Sequence, residues 1–222
     1  MAKNQHASMK LKNWQDDYWL LLMQLYLKKP VGVKPLYSRP LVELSLELHI
    51  APQQLYARQR AIANLETPRI ERIWHDYSRN PKRLTRAVDL LRSMMGFNSG
   101  GDFYSGVEVE ETFERDFRPL GEDERLTPVM LVLILDLYFH LTPITMTTDT
   151  PEVRDLARSM KIPAQLVVDV LEVFQHCDPY LNRRDVIISP ILLPCQQVWQ
   201  RYGNGDSLQL AAYAEQLKEF YK

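Results

Sequence analysis

The side chains best suited to chemistry lie on one short segment and on the stretch that follows it. A helix opening at Pro52 and ending before Pro68, stepped at about 100° per residue, places Leu55, Ile62 and Leu65 on one face. The opposite face carries Gln53, Tyr56, Arg60 and Asn64. Gln, Arg and Asn are the side chains whose geometry suits paired hydrogen bonds to base edges in a DNA major groove. Arg58 flanks the apolar face, where its stem can pack while its charge reaches toward phosphate. Downstream come Arg69, Arg72, Arg79, Lys82, Arg83 and Arg86, and Pro81–Arg92 reads as a basic helix with Asp89 as its only acid. Such a cluster neutralises phosphates and supplies affinity that falls as salt rises. An ordinary solvated helix face has the same composition, because Arg and Lys are good helix formers.

Other chemistries lack their residues. The histidines are His6, His49, His75, His140 and His176, and none lies in a metal-binding or metalloprotease spacing. His176-Cys177-Asp178 is a fragment without a second ligand pair. No G-x-S-x-G turn, phosphate-binding loop or dinucleotide fingerprint occurs. The expectation is a chain without a catalytic site, metal or cofactor. Trp74, Tyr77, Trp199 and Tyr202 have the rings to stack on bases, but their recurrence in two places fits core packing better. Cys177 and Cys195 read as two buried free thiols.

The elements that must position these residues are short helices. Hydrophobic residues make up 45% of the 222, Gly is scarce at 8 and Pro frequent at 14, which suits helices started by proline rather than a barrel or sandwich. The first residues contain no apolar run of signal-peptide type, and Val129–Leu135 is too short to span a bilayer, which takes about 20 residues. A cytoplasmic location is expected. Residues 1–100 carry 16 Lys and Arg against 8 Asp and Glu, whereas 101–222 carry 11 against 20. A basic half joined to an acidic half points to a different partner for each.

The sequence also matches itself. Leu20–Leu27 resembles Val132–Phe139, with Leu25-Tyr26 on Leu137-Tyr138. At the same shift Glu43-Leu44 and Ile50 fall on Asp155-Leu156 and Ile162. Pro52–Leu55 resembles Pro163–Leu166 and Pro68 meets Pro179, one residue out of step. Trp74–Tyr77 resembles Trp199–Tyr202 after an insertion around Tyr180–Gln197. The expected fold is therefore mostly α, a tandem duplication of a helix-turn-helix-like module. Residues 1–97 form the basic module, 98–125 an acidic Gly/Ser-containing linker with some helix around Val107–Phe117, and 126–222 the acidic second copy. Helices are expected to open at Asn13 or Thr127, near Pro40 or Pro151 with Ser38 or Thr150 as caps, and at Pro52 or Pro163. Thr67-Pro68 and Asn80-Pro81 are two further cap-plus-proline starts. Val186–Leu193 is read as a wing-like β-hairpin at best. In the second copy Asp169 and Glu172 replace the basic reading face, and its valine-rich third helix suits dimerisation or partner binding.

Asn13-Trp14 through Pro68 resembles the N-terminal helical module of some HNH-type restriction endonucleases and related bacterial DNA-binding proteins. Trp14, Leu25-Tyr26, Glu43-Leu44-Ser45, Pro52, Arg58 and Leu65–Pro68 carry the resemblance, while Ala61-Ile62 stands where an Asn-Phe pair is expected. No nuclease motif follows. The resemblance implies a DNA-associated module without the nuclease. The reading is thus a non-catalytic binder of duplex DNA, of the kind used in transcription regulation, whose second copy serves assembly. The alternative is a protein-protein adaptor with complementary basic and acidic halves.

Overall fold

A computed structural model describes residues 14–97, 112–181, 183, 185 and 187–222. Among these the chain is mostly helical, with eleven α-helices and no strand. No helix among the described residues is long and apolar enough to cross a membrane. The chain divides into two compact units, Met1–Lys34 with Glu43–Val109 and Pro35–Val42 with Glu110–Lys222.

The first unit is organised around α1 (Tyr18–Leu27), in which Tyr18, Leu21, Leu22, Met23 and Leu25 are all buried. Most of these lie on one side with Met23 set apart, but no other residue of the helix is exposed, so neighbours enclose it. Three helices enclose it: α3 (Pro52–Ala63), α4 (Pro68–Tyr77) and α5 (Pro81–Ser93) each pack on α1, and α4 packs on α5. Between α1 and α3 comes α2 (Arg39–Leu48). The proline starts follow their chemistry. Thr67 accepts the Ile70 N–H at 3.3 Å and Asn80 the Arg83 N–H at 3.1 Å, each beside a Pro at the first helical position. The expected start at Asn13 lies outside the described residues, and α1 itself opens only at Tyr18, after Asp17.

In the second unit α7 (Pro128–His140) takes the central place, with Val129, Leu131–Leu135 and Tyr138 buried. Around it lie α6 (Thr112–Asp116), α8 (Pro151–Met160), α9 (Ala164–Cys177), α10 (Leu192–Val198) and α11 (Ser207–Lys218). Thr127 caps α7 through the Met130 N–H at 3.3 Å. Thr150 makes no such bond to α8, and the Ser38 hydroxyl has no hydrogen-bond partner among the described residues, so both expected side-chain caps fail. The expected wing is corrected as well: residues 187–189 are irregular and Leu192 already belongs to α10, while Val186 lies outside the described residues. Pro190 and Pro194 withhold the donors that a ladder needs. Residues 107–111 of the expected acidic helix are likewise not described. From Thr112 the segment is helical and packed: Phe117 stacks on Tyr37 at 6.2 Å and meets Phe220 at 5.2 Å, and the Leu120 N–H donates to the Leu126 carbonyl at 2.8 Å.

Two local geometries recur. His49 after α2 and Lys161 after α8 are both left-handed, at φ 54° and 59°. In each turn the next N–H reaches back five residues, Ile50 to Ser45 at 3.1 Å and Ile162 to Ala157 at 3.0 Å, the closing bond of a Schellman turn. Tyr26 meets Trp74 edge to face at 5.9 Å in the first unit, and Tyr138 meets Trp199 edge to face at 5.6 Å in the second.

The second of these rings depends on a glycine. Trp199 opens a π-helical turn, Trp199–Gly203, and is buried against Tyr138, Phe139 and Phe174. A Cβ at Gly203 would sit 2.6–2.9 Å from the indole carbons, closer than packing allows. Gly203→Ala should therefore destabilise the second unit by about 1–3 kcal/mol. Urea denaturation followed by Trp emission checks this, and Gly121→Ala, where nothing lies within 4 Å, serves as the reference.

Candidate nucleic-acid interface

Helix α3 sets the outward face of the first unit. Pro52, Leu55, Gln59 and Ile62 are its buried residues, a spacing of three and four that keeps one side against α1. Gln53, Arg60 and Asn64 are exposed and Tyr56 is half-buried, so the polar side inferred from periodicity does face outward. Leu65 is the exception on the apolar side. It is exposed and left-handed at φ 51°, and the Glu66 N–H closes the turn on the Ala61 carbonyl at 3.1 Å. The helix has already ended at Ala63, so helical phase no longer governs residue 65. Asn64 is the C-cap, and its amide donates to Glu66 Oε1 at 3.1 Å.

Arg58 is turned the other way. Its guanidinium lies 3.9 Å from the centre of the Trp14 ring, its Nε is buried without a partner, and burial lowers its pKa. It serves packing rather than a phosphate. Beside it, fully buried Gln59 accepts the Lys34 N–H at 2.7 Å. Lys34 is itself buried. Its ammonium donates to the carbonyls of Lys28, at 2.5 Å, and of Pro30, beyond the end of α1. Sequence reasoning missed both residues. Gln59 stood at the right helical phase between Leu55 and Ile62, but its polarity argued against the core.

The downstream cations divide into those held by a neighbour and those that are not. Arg69 lies 3.2 Å from Asp16 and 3.8 Å from Asp17. Arg72 donates to the Pro68 carbonyl in its own helix at 3.3 Å, and Arg83 lies over the Tyr77 ring at 5.3 Å. Arg60, Arg79, Lys82 and Arg86 are exposed and have no hydrogen bond or ion pair from their side chains among the described residues. Lys82 and Arg86 are one turn apart on α5, opposite the buried Leu84, Val88 and Leu91. Arg79 immediately precedes the N-cap Asn80. These residues and the α3 face therefore form two groups on helices that share α1 as their support.

The second unit has the opposite electrostatics. Arg118 pairs with Glu114, Arg125 with Asp123, Arg154 with Asp149, Arg158 with Asp155, Arg201 with Asp116, Lys218 with Glu215 and Lys222 with Glu219. The outward side of α9 shows Gln165, Asp169 and Glu172. Its apolar excess is accounted for within the unit, since Leu166, Val167, Val170, Leu171, Val173 and Phe174 are buried. Trp199 is buried and Tyr202 stacks on Tyr213 at 5.8 Å, which makes these rings core rather than platforms for bases. Cys195 is buried and Cys177 half-buried, both as free thiols. Burial pushes the Cys177 thiol up to about 11 and holds Cys195 higher still. No cluster of His, Cys, Asp and Glu among the described residues has the form of a metal site. Comparison of the chain with known protein families, curated proteins and solved structures gives no match in any of the three.

Lys34→Met should cost about 1–3 kcal/mol, because the Lys28 and Pro30 carbonyls lose their donor. Lys82→Met, on the exposed side of α5, should stay within about 0.5 kcal/mol; urea denaturation compares the two. Burial, then the charge of Lys28, lowers the Lys34 pKa in the folded chain. The unfolded chain thus holds this proton at pH values where the folded chain has released it. Lys34 contributes a rise in stability with pH just below the usual lysine range, and Lys34→Met should remove that rise.

Proposed function

We propose that the chain is a non-catalytic DNA-binding protein made of two diverged copies of one helix-turn-helix-like module, with duplex DNA held by the first. The observation that carries this reading is the contrast in how cations are used. In the second unit most of the described Lys and Arg are paired with its own acids, Arg115 and Lys161 being exceptions, while Arg60, Arg79, Lys82 and Arg86 of the first have no such partner among the described residues. Exposed cations without carboxylates within reach are available to phosphate, and releasing the counterions around DNA drives that contact. The α2–turn–α3 arrangement, with Gln53, Arg60 and Asn64 outward, supports α3 as the helix that enters the major groove.

Duplication is supported by recurrence at one offset. A shift of 112 residues relates His49 to Lys161, both left-handed, and relates both ends of their closing backbone bonds. The Tyr–Trp edge contact also recurs, with its tyrosines at that shift. The turn sequences share little beyond the isoleucine, so backbone conformation carries this argument better than residue identity does.

The two groups of cations should respond differently. Arg86→Ala should weaken binding to any duplex and reduce the salt slope by about 1, as expected for a lost phosphate contact. Arg60→Ala should cost about 1–3 kcal/mol on a sequence selected from a random pool and little on a scrambled one. The measurement is a salt titration of both variants and the wild type on the two duplexes. Equal losses everywhere would leave a basic surface without sequence reading. Absence of binding at low salt would overturn the DNA reading and favour the adaptor.

A further inference from the structure

The cations of α4 and α5 differ in one respect that the DNA reading does not use. Arg69, in the first turn of α4, is the one faced by two carboxylates from a distant part of the chain, Asp16 at 3.2 Å and Asp17 at 3.8 Å. Those carboxylates belong to the segment before α1, whose Gln15, Asp16 and Asp17 carbonyls accept the Tyr18, Trp19 and Leu20 N–H groups and whose other side-chain contact is aromatic. Trp14 lies under the Arg58 guanidinium at 3.9 Å and meets Tyr18 and Trp19 edge to face at 5.6 and 5.1 Å. The segment thus has an anchor and a tip. At the anchor, Arg58 is half-buried and its Nε has no other partner, so leaving Trp14 would give up packing without a ready replacement. At the tip the pair is open to water, with Arg69 44% exposed and Asp16 and Asp17 at 65% and 64%.

We infer that Trp14–Asp17 is an intramolecular competitor for phosphate: Asp16 and Asp17 occupy Arg69 in the free protein and give it up when a phosphate group arrives. The inference rests on the DNA-binding reading above. Magnitudes favour exchange at the tip. A solvent-exposed ion pair is worth about 0–1 kcal/mol and is screened by salt. A phosphate on the first turn of α4 also meets Arg72, whose side chain is exposed and held only to the Pro68 carbonyl. Arg69 and Arg72 are three residues apart on one helix, close enough to share one anion. A carboxylate pair held by weak contacts gives way to a group bound by two cations. The basic surface at rest is therefore that of Arg60, Arg79 and α5, and it extends to α4 only when the acids are displaced.

The test is a salt titration on duplex DNA with the full chain as wild type, Asp16→Asn/Asp17→Asn, Arg69→Gln and the triple variant. Asn keeps side-chain size, and Asp17 makes no side-chain cap bond to α1 that the change would remove. The double variant should bind about two- to fivefold more tightly at low salt, with a slope steeper by about 1. Arg69→Gln alone should weaken binding less than it weakens the double variant, and it should cancel the gain in the triple variant. Where the double variant has a lowered thermal midpoint, Asp16→Asn alone, which leaves the N-cap untouched, is held to the same expectations. No gain from removing the acids overturns the inference. A gain that persists with Gln at 69 also overturns it, because only net charge would then be at work. Arg69→Gln weakening the wild type as much as it weakens the double variant overturns it too, since Arg69 would already be on phosphate. In these three outcomes wild-type binding remains and the DNA reading stands. Absence of binding by both wild type and double variant removes the DNA reading itself, and the inference with it.

Discussion

Two helices covered by neighbours around their circumference impose the rest of the structure. No residue of α1 is exposed, and the buried residues of α7 run all the way round its axis. Each must be enclosed by neighbours, and each neighbour need offer only one apolar stripe to do so. That division of labour explains the short proline-started helices and their strongly two-sided patterns. It also fixes what is left over: the outer sides of α3, α4 and α5 carry no packing obligation, and their composition is open to function.

Charge shows how that freedom is used in the two units. In the second, acids sit within three to five residues of many of the cations, as in Arg154–Asp149 and Arg158–Asp155, giving a surface that answers its own charge. In the first, the pairs that do form are longer in sequence and fewer, such as Arg92 with Glu47 at 2.6 Å and Arg69 with Asp16. The net figure of −1 for the chain conceals this difference, and so does the composition of either half. Only the placement of acids relative to cations separates a neutralised surface from one that can engage an anion.

Where a single local rule governs, the sequence was readable. Thr67, Asn80 and Thr127 each precede a proline, and each caps its helix. The outward face of α3 followed from phase alone. Legibility failed where a residue answered to something distant. Gln59 is buried because the Lys34 N–H, 25 residues away, needs an acceptor. Arg58 is drawn off the surface by Trp14, which no helical period connects to it. Leu65 was assigned to the core because phase was extended past the helix end. Ser38 and Thr150 have the right type and position for caps and do not act as caps. The wing reading relied on β-branched residues without a partner strand to pair with.

The tryptophans divide unequally between the units: Trp14, Trp19 and Trp74 fall in the first and Trp199 alone in the second. Trp199 is enclosed by Tyr138, Phe139 and Phe174 and is 6% exposed, so its emission reports the interior of one unit. Trp14 sits against a guanidinium, and its emission responds to departure of that cation. A chain retaining only Trp199 and a chain retaining only Trp14 are therefore two optical probes with different subjects, the melting of the second core and the seating of the segment before α1, each readable in the intact protein without a dye.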